Sequence, residues 1–92
     1  MKTANKLRAS LSGNDHLNYE LVPGVPIVEI CGKERVLIEN HKGIIGYSCG
    51  EIRVKVQNGC VCVCGRHLKL SKMSKTRLVI TGGICGVTLQ GR

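Results

Sequence analysis

The chain has 92 residues and a formal net charge of +8; 42% of the residues are hydrophobic and only 2% aromatic. A Val, Ile and Leu supply at that level excludes a disordered chain and favours strands, and the length holds one domain with a modest core. No run approaches the roughly 20 apolar residues of a membrane span, and residues 1–22 lack the apolar stretch of a signal peptide, so the expectation is a cytoplasmic protein whose six cysteines are reduced.

Lys2, Lys6 and Arg8 accompany Leu7 and Leu11, one helical turn apart, before Ser12-Gly13-Asn14-Asp15 breaks any helix. One or two turns are marginal alone in water, so residues 1–22 are expected to form a mobile basic arm. Pro23-Gly24-Val25-Pro26 opens the β-rich domain, residues 23–92, because neither proline can donate to a sheet ladder. Alternating apolar residues then mark strands at Val28 and Ile30, at Val36 and Ile38, and from Ile44 to Tyr47. Gly32-Lys33-Glu34 and Ser48-Cys49-Gly50-Glu51 are the turns between them.

Ile52-Arg53-Val54-Lys55-Val56 alternates strictly, and Asn58-Gly59 is a strong hairpin signal, since both residues tolerate a positive φ. With those two as the loop, Val56 faces Val61, Lys55 faces Cys62 and Arg53 faces Cys64. Ile52 and the valines then share one face, while Arg53, Lys55, Cys60, Cys62 and Cys64 share the other. Further strands are expected at Leu68 and Leu70, at Leu78 and Ile80, and from Ile84 to Leu89, parted by Gly65-Arg66, by a basic connection Lys72–Thr76 and by Gly82-Gly83. The apolar offset changes from two to three between Ile84 and Val87, which predicts a bulge at Cys85-Gly86. A strand–glycine–strand unit recurs around Gly32, Gly65 and Gly82, as a short β-solenoid would have it. The irregular period and the hairpin turn favour instead an all-β antiparallel meander of about seven or eight short strands, curled into a roll or sandwich.

From Ile52 to Arg92 there are eight Lys or Arg and no acidic residue. Arg53, Lys55, Arg66 and Lys69 are the candidate basic face, which attracts anionic partners if it is more than a solvated strand surface. Two tyrosines without Phe or Trp cannot line a stacking groove, which argues against nucleic acid as the partner. Cys60, Cys62 and Cys64 have three readings. They are small apolar fillers, or reactive thiols that link copies beside lysine and arginine, or metal ligands with His67. Cys-x-Cys-x-Cys on a strand does not converge easily on one tetrahedron, so no metal is expected. No spacing unites His41 with a cysteine such as Cys49 as base and nucleophile, so neither an enzyme nor a cofactor is expected.

Ile38-Glu39-Asn40-His41-Lys42-Gly43 ends a strand with a polar cluster and a glycine, which reads as a turn. This hexapeptide, together with Val28-Glu29-Ile30-Cys31-Gly32, the Ile52-x-Val54-x-Val56 hairpin and Leu78-x-Ile80-x-Gly82-x-Ile84, resembles the YabP/YqfC family of sporulation proteins, its YqfC branch above all. The resemblance covers roughly residues 25–89. It implies a non-enzymatic assembly or accessory component of spore formation, acting in the mother cell with a sporulation partner, a membrane-associated one included, at the periphery of the forespore membrane. A homo-oligomer that builds a spore layer through strand edges or cysteines is the alternative. Glu39, Asn40, His41, Lys42 and Gly43 match the family motif and form the candidate interaction or turn-defining site. The three cysteines fall on the variable side of the family pattern, so a thiol function would be particular to this chain.

Overall fold

Six antiparallel strands account for most of residues 23–91, the part that the computed structural model describes; the expected arm lies outside it. They are β1 (Ile27–Cys31), β2 (Arg35–Glu39), β3 (His41–Tyr47), β4 (Glu51–Val56), β5 (Gly59–Met73) and β6 (Arg77–Gly91), in the sheet order β1-β2-β6-β5-β4-β3. The all-β antiparallel expectation holds, and every pairing is antiparallel, which leaves no place for a solenoid of parallel coils. The strand count falls to six because Gly65-Arg66 and Gly82-Gly83 are bends inside two 15-residue strands, not turns between shorter ones.

The long β5–β6 hairpin organises the molecule. Its open half, Gly59–Cys64 with Gly86–Gly91, carries β4 and β3; its turn half, Lys69–Met73 with Arg77–Thr81, carries β2 and β1. Along the hairpin the register slips three times, at Cys64/Gly65 and Arg66/Lys69 between the halves and at Leu70/Lys72 within the turn half, and extra residues in one strand of a pair bend it. The first slip skips Cys85, the position at which the sequence predicts a bulge, and it lets Ile84 and Val87 both pack on the core. Backbone donors freed at the bend are not orphaned. Gly65 and Leu68 N–H donate to the Gly50 and Cys49 carbonyls, and Gly82 and Ile84 N–H donate to the Glu34 and Lys33 carbonyls.

Bending brings the inner faces of the two halves together. Val36, Ile38, Leu78 and Ile80 from one half meet Ile52, Val54, Val56, Val61 and Val63 from the other, with Leu68 at the bend. Each such side chain contributes about 1.5–3 kcal/mol when fully buried, which is how an open sheet without Phe or Trp assembles a core. One register differs from expectation: Gln57 and Asn58 form the β4–β5 loop, so Val56 lies opposite Gly59, Val54 opposite Val61 and Arg53 opposite Cys62. Asn58 alone of the loop pair has a positive φ, 67°, which replaces the two-residue Asn58-Gly59 turn. The slip moves every partner by two, an even number, so the valines still face inward and the cysteines outward.

Candidate functional site

The hexapeptide forms the corner where the chain leaves the turn half of the sheet for the open half. Ile38 is fully buried, and Glu39 lies opposite Arg77, whose Nε donates to Glu39 Oε2 at 3.0 Å. Asn40 turns the corner with φ 66°, a conformation that asparagine tolerates better than most residues. Its Nδ2 donates to the Val25 carbonyl at 2.8 Å, and its backbone N–H donates to the Thr76 carbonyl. His41 is buried, and its ring joins two further pieces of backbone. Gly43 N–H donates to Nδ1 at 2.9 Å, which makes Nδ1 the acceptor and Nε2 the protonated nitrogen; Nε2 then donates to the Ser74 carbonyl at 2.9 Å. Lys42 is exposed, and Lys42-Gly43 forms a bulge between His41 and Ile44, with Gly43 at φ 117°.

These contacts give the motif a turn-defining role: Val25, the β5–β6 turn and the β2–β3 corner are tied by side chains of two consecutive residues. Sequence reasoning finds the residues but misses their partners Val25, Ser74, Thr76 and Arg77. No local signal announces them, since the bonds of Asn40 and His41 span 15 and 33 residues.

The second cluster lies on the outside of the open half. Arg53, half-buried, donates to Cys60 Sγ at 3.7 Å and to Gln90 Oε1 at 3.3 Å, and the bond to Cys60 holds its guanidinium above the ordinary value. Cys62 is 4% exposed; its thiol donates to Glu51 Oε2 at 2.7 Å and lies 3.9 Å from Cys64 Sγ. Burial first, then the bonds to Glu51 and Cys64, pushes the Cys62 thiol up to about 12. Cys62 therefore lacks both the access and the acidity of a reactive thiol. Cys60 and Cys64 are half-buried, and the exposed thiols are Cys31, Cys49 and Cys85. Glu51 is the member that sequence reasoning misses. The expected register, continued outward, sets Glu51 opposite Arg66; the observed one sets it opposite Cys64.

The four candidate basic residues lie on two strands and at different distances from the bend. Arg53 belongs to the thiol cluster and Lys55 to the β4–β5 hairpin, whereas Arg66 and Lys69 lie at and beyond the bend. There the structure adds Lys72 and Lys75, so that Arg66, Lys69, Lys72 and Lys75 follow one another, all exposed, along β5 and the turn after it. Among the described residues the one ion pair is Arg77 with Glu39, and none of these four takes part in it. Lys72 alone of the four also lines a groove of about 800 Å³, with Arg35, Arg77, Glu29, Leu37 and Met73.

Residues 23–91 thus form a small all-β module with a corner tied by side chains, a run of exposed cations and no helix among the described residues. The chain belongs to the YabP family, whose model matches residues 25–92. It is also similar to a protein of Bacillus subtilis (strain 168) described as uncharacterized protein YqfC, with 21% identity over 80 residues that cover 87% of this chain and 86% of the relative. No solved structure matches the chain.

Proposed function

We propose that this protein is a non-enzymatic binding module of sporulation that docks on an anionic or membrane-associated partner in the mother cell. The observation that carries the reading is the run Arg66, Lys69, Lys72 and Lys75, four exposed cations without an ion-pair partner among the described residues; Lys72 also lines a groove to which Arg35 and Arg77 add two further cations and Glu29 one acid. Unpaired cations along β5 and the turn after it form a field that an anionic surface neutralises, and the apolar Leu37 and Met73 in the groove suit a partner that is not purely ionic. Family membership supports the process, and the side chains of Asn40 and His41 are engaged in tying the corner to other backbone. The test is cross-linked capture from sporulating cells, comparing the natural chain with one in which the four cations are glutamine. The expected result is a membrane or coat partner recovered by the first and lost from the second; equal recovery by both removes the basic strand from the interface.

A second reading rests on the sheet edges. β1 and β3 end the strand order, and they expose Ile27, Ile30, Ile45 and Tyr47, large apolar residues on strands whose outer backbone groups have no neighbouring strand among the described residues. Copies paired through these edges would form a layer, with exposed Cys31, Cys49 and Cys85 available to link them. Size-exclusion chromatography at several concentrations, with and without reductant, discriminates: a strict monomer throughout eliminates self-assembly.

A further inference from the structure

Two thiols and a carboxylate converge on the outer face of the open half. Glu51 and Cys64 are directly opposite one another on β4 and β5, and Cys62 is two residues from Cys64, so all three side chains project from the same face. Their ligand atoms lie within 4.8 Å of one another. A tetrahedral cation with metal–sulfur bonds of about 2.3 Å holds two thiolates about 3.8 Å apart. Cys62 and Cys64 already stand at 3.9 Å. The expectation of no metal rested on three alternating cysteines failing to converge; two of them suffice once the neighbouring strand supplies an oxygen.

From this geometry we infer that Glu51, Cys62 and Cys64 form a binding site for a soft divalent cation of the zinc class. Sulfur donors select zinc, cobalt(II) or cadmium over magnesium and calcium, and one carboxylate oxygen is compatible with that choice. Binding converts two thiols to thiolates and releases two protons: the cation gains two sulfur bonds and one oxygen bond, and the thiol-to-carboxylate hydrogen bond breaks as Glu51 Oε2 turns to the metal. Glu51 is exposed, so its carboxylate can make that turn. Burial that disfavours a lone thiolate does not oppose one neutralised by a cation. Two thiolates and a carboxylate around a divalent ion leave one net negative charge, and Arg53, directly opposite Cys62, offsets it. Three protein ligands leave a fourth position open. Gly86, opposite Cys64 on β6, has open space where a side chain would begin, so water can reach that position.

The test uses the full reduced chain, stripped of metal by a chelator and titrated with Co²⁺ in the absence of oxygen. A thiolate-to-cobalt charge-transfer band that saturates at one ion per chain and is displaced by Zn²⁺ is the expected result. Cys64→Ser should abolish the band. Glu51→Gln should keep it but weaken binding by about tenfold or more, at least the loss seen when a ligand's supporting partner is removed. A chain with Cys31, Cys49, Cys60 and Cys85 all replaced by serine should bind as the natural chain does, once circular dichroism has shown that it is folded. No band in the folded natural chain overturns the site. So does a band that survives Cys64→Ser, or Glu51→Gln binding as tightly as the natural chain.

Discussion

His41 has the most consequential surroundings of any single residue. Its ring accepts from Gly43 N–H and donates to the Ser74 carbonyl, so truncation removes two hydrogen bonds from a part-buried corner in which Gly43 is half-buried and Ser74 exposed. His41→Ala is predicted to destabilise the fold by about 1–3 kcal/mol, two hydrogen bonds at about 0.5–1.5 kcal/mol each, and a denaturant titration measures it as a lower midpoint at unchanged slope. An unchanged midpoint would mean that the corner holds without the ring. Cys62 gives a second residue-scale prediction, for the reduced, metal-free chain. Its thiol is pushed from the ordinary 9.0 up to about 12 in the folded state, so below pH 9 both folded and unfolded chains keep the proton. As pH rises from 9 towards 12 the unfolded chain releases it while the folded chain does not, and stability falls. Every other ionisable group is common to the two proteins. The decline should therefore be steeper in the natural chain than in Cys62→Ala, and parallel stability profiles from pH 8 to 11 would refute the shift.

At the scale of the element, the β5–β6 hairpin depends on a close backbone approach at its bend. A Cβ added at Gly65 would collide with the Gly83 carbonyl oxygen, a backbone atom that cannot rotate away, whereas one added at Gly86 meets nothing within 4 Å. Gly65→Ala is expected to cost about 1–3 kcal/mol or more through the forced backbone shift, and Gly86→Ala to stay within about 0.5 kcal/mol of the natural chain. Thermal unfolding of the two variants side by side checks the contrast; equal losses would place the bend elsewhere. This hairpin also marks how far the strands are legible in the sequence. Alternation at Ile52, Val54, Val56, Val61 and Val63 identifies the inner face correctly even though the loop is Gln57-Asn58, because facing depends on parity and survives an even slip. The bulge at Cys85 is legible too, from the change in apolar spacing. Glycine after an apolar pair is ambiguous: around Gly32 it makes a true turn between β1 and β2, while at Gly65 and Gly82 it lets one strand bend and continue. Which of the two occurs depends on whether another segment accepts the freed backbone bonds, here Cys49-Gly50 and Lys33-Glu34, and that is a tertiary fact. The candidate sites divide the same way. Asn40 and His41 stand out as residues, but Val25 and Ser74 enter only through the fold, and Glu51 joins the thiols only through the true register.

For the whole molecule the governing quantity is a net charge of +8 distributed over a surface whose one ion pair among the described residues is Arg77–Glu39. If the chain docks on an anionic lipid surface, Arg66, Lys69, Lys72 and Lys75 are the cations that do it from the folded domain, and each contributes about 1 kcal/mol near such a surface. Four together amount to about 4 kcal/mol, roughly a thousandfold in partitioning. The full chain is therefore predicted to sediment with phosphatidylserine-containing vesicles and not with phosphatidylcholine vesicles. Replacing the four cations by glutamine should reduce that binding by two to three orders of magnitude, about the combined effect of the four charges. Lys2, Lys6 and Arg8 are present in both proteins, so the difference between them isolates the contribution of β5 and its turn. Ionic strength supplies the second arm. The screening length shortens from about 30 Å at 0.01 M salt to about 8 Å at 0.15 M, so binding that rests on these charges must weaken steeply over that range. Vesicle binding that ignores salt would assign the attachment to apolar residues such as Ile45, Tyr47 and Leu89 instead, and salt-sensitive binding that survives the four substitutions would assign it to the remaining cations, Lys2, Lys6 and Arg8 among them. Salt-sensitive binding lost with the four cations would make the exposed strand beyond the bend the docking surface of the domain.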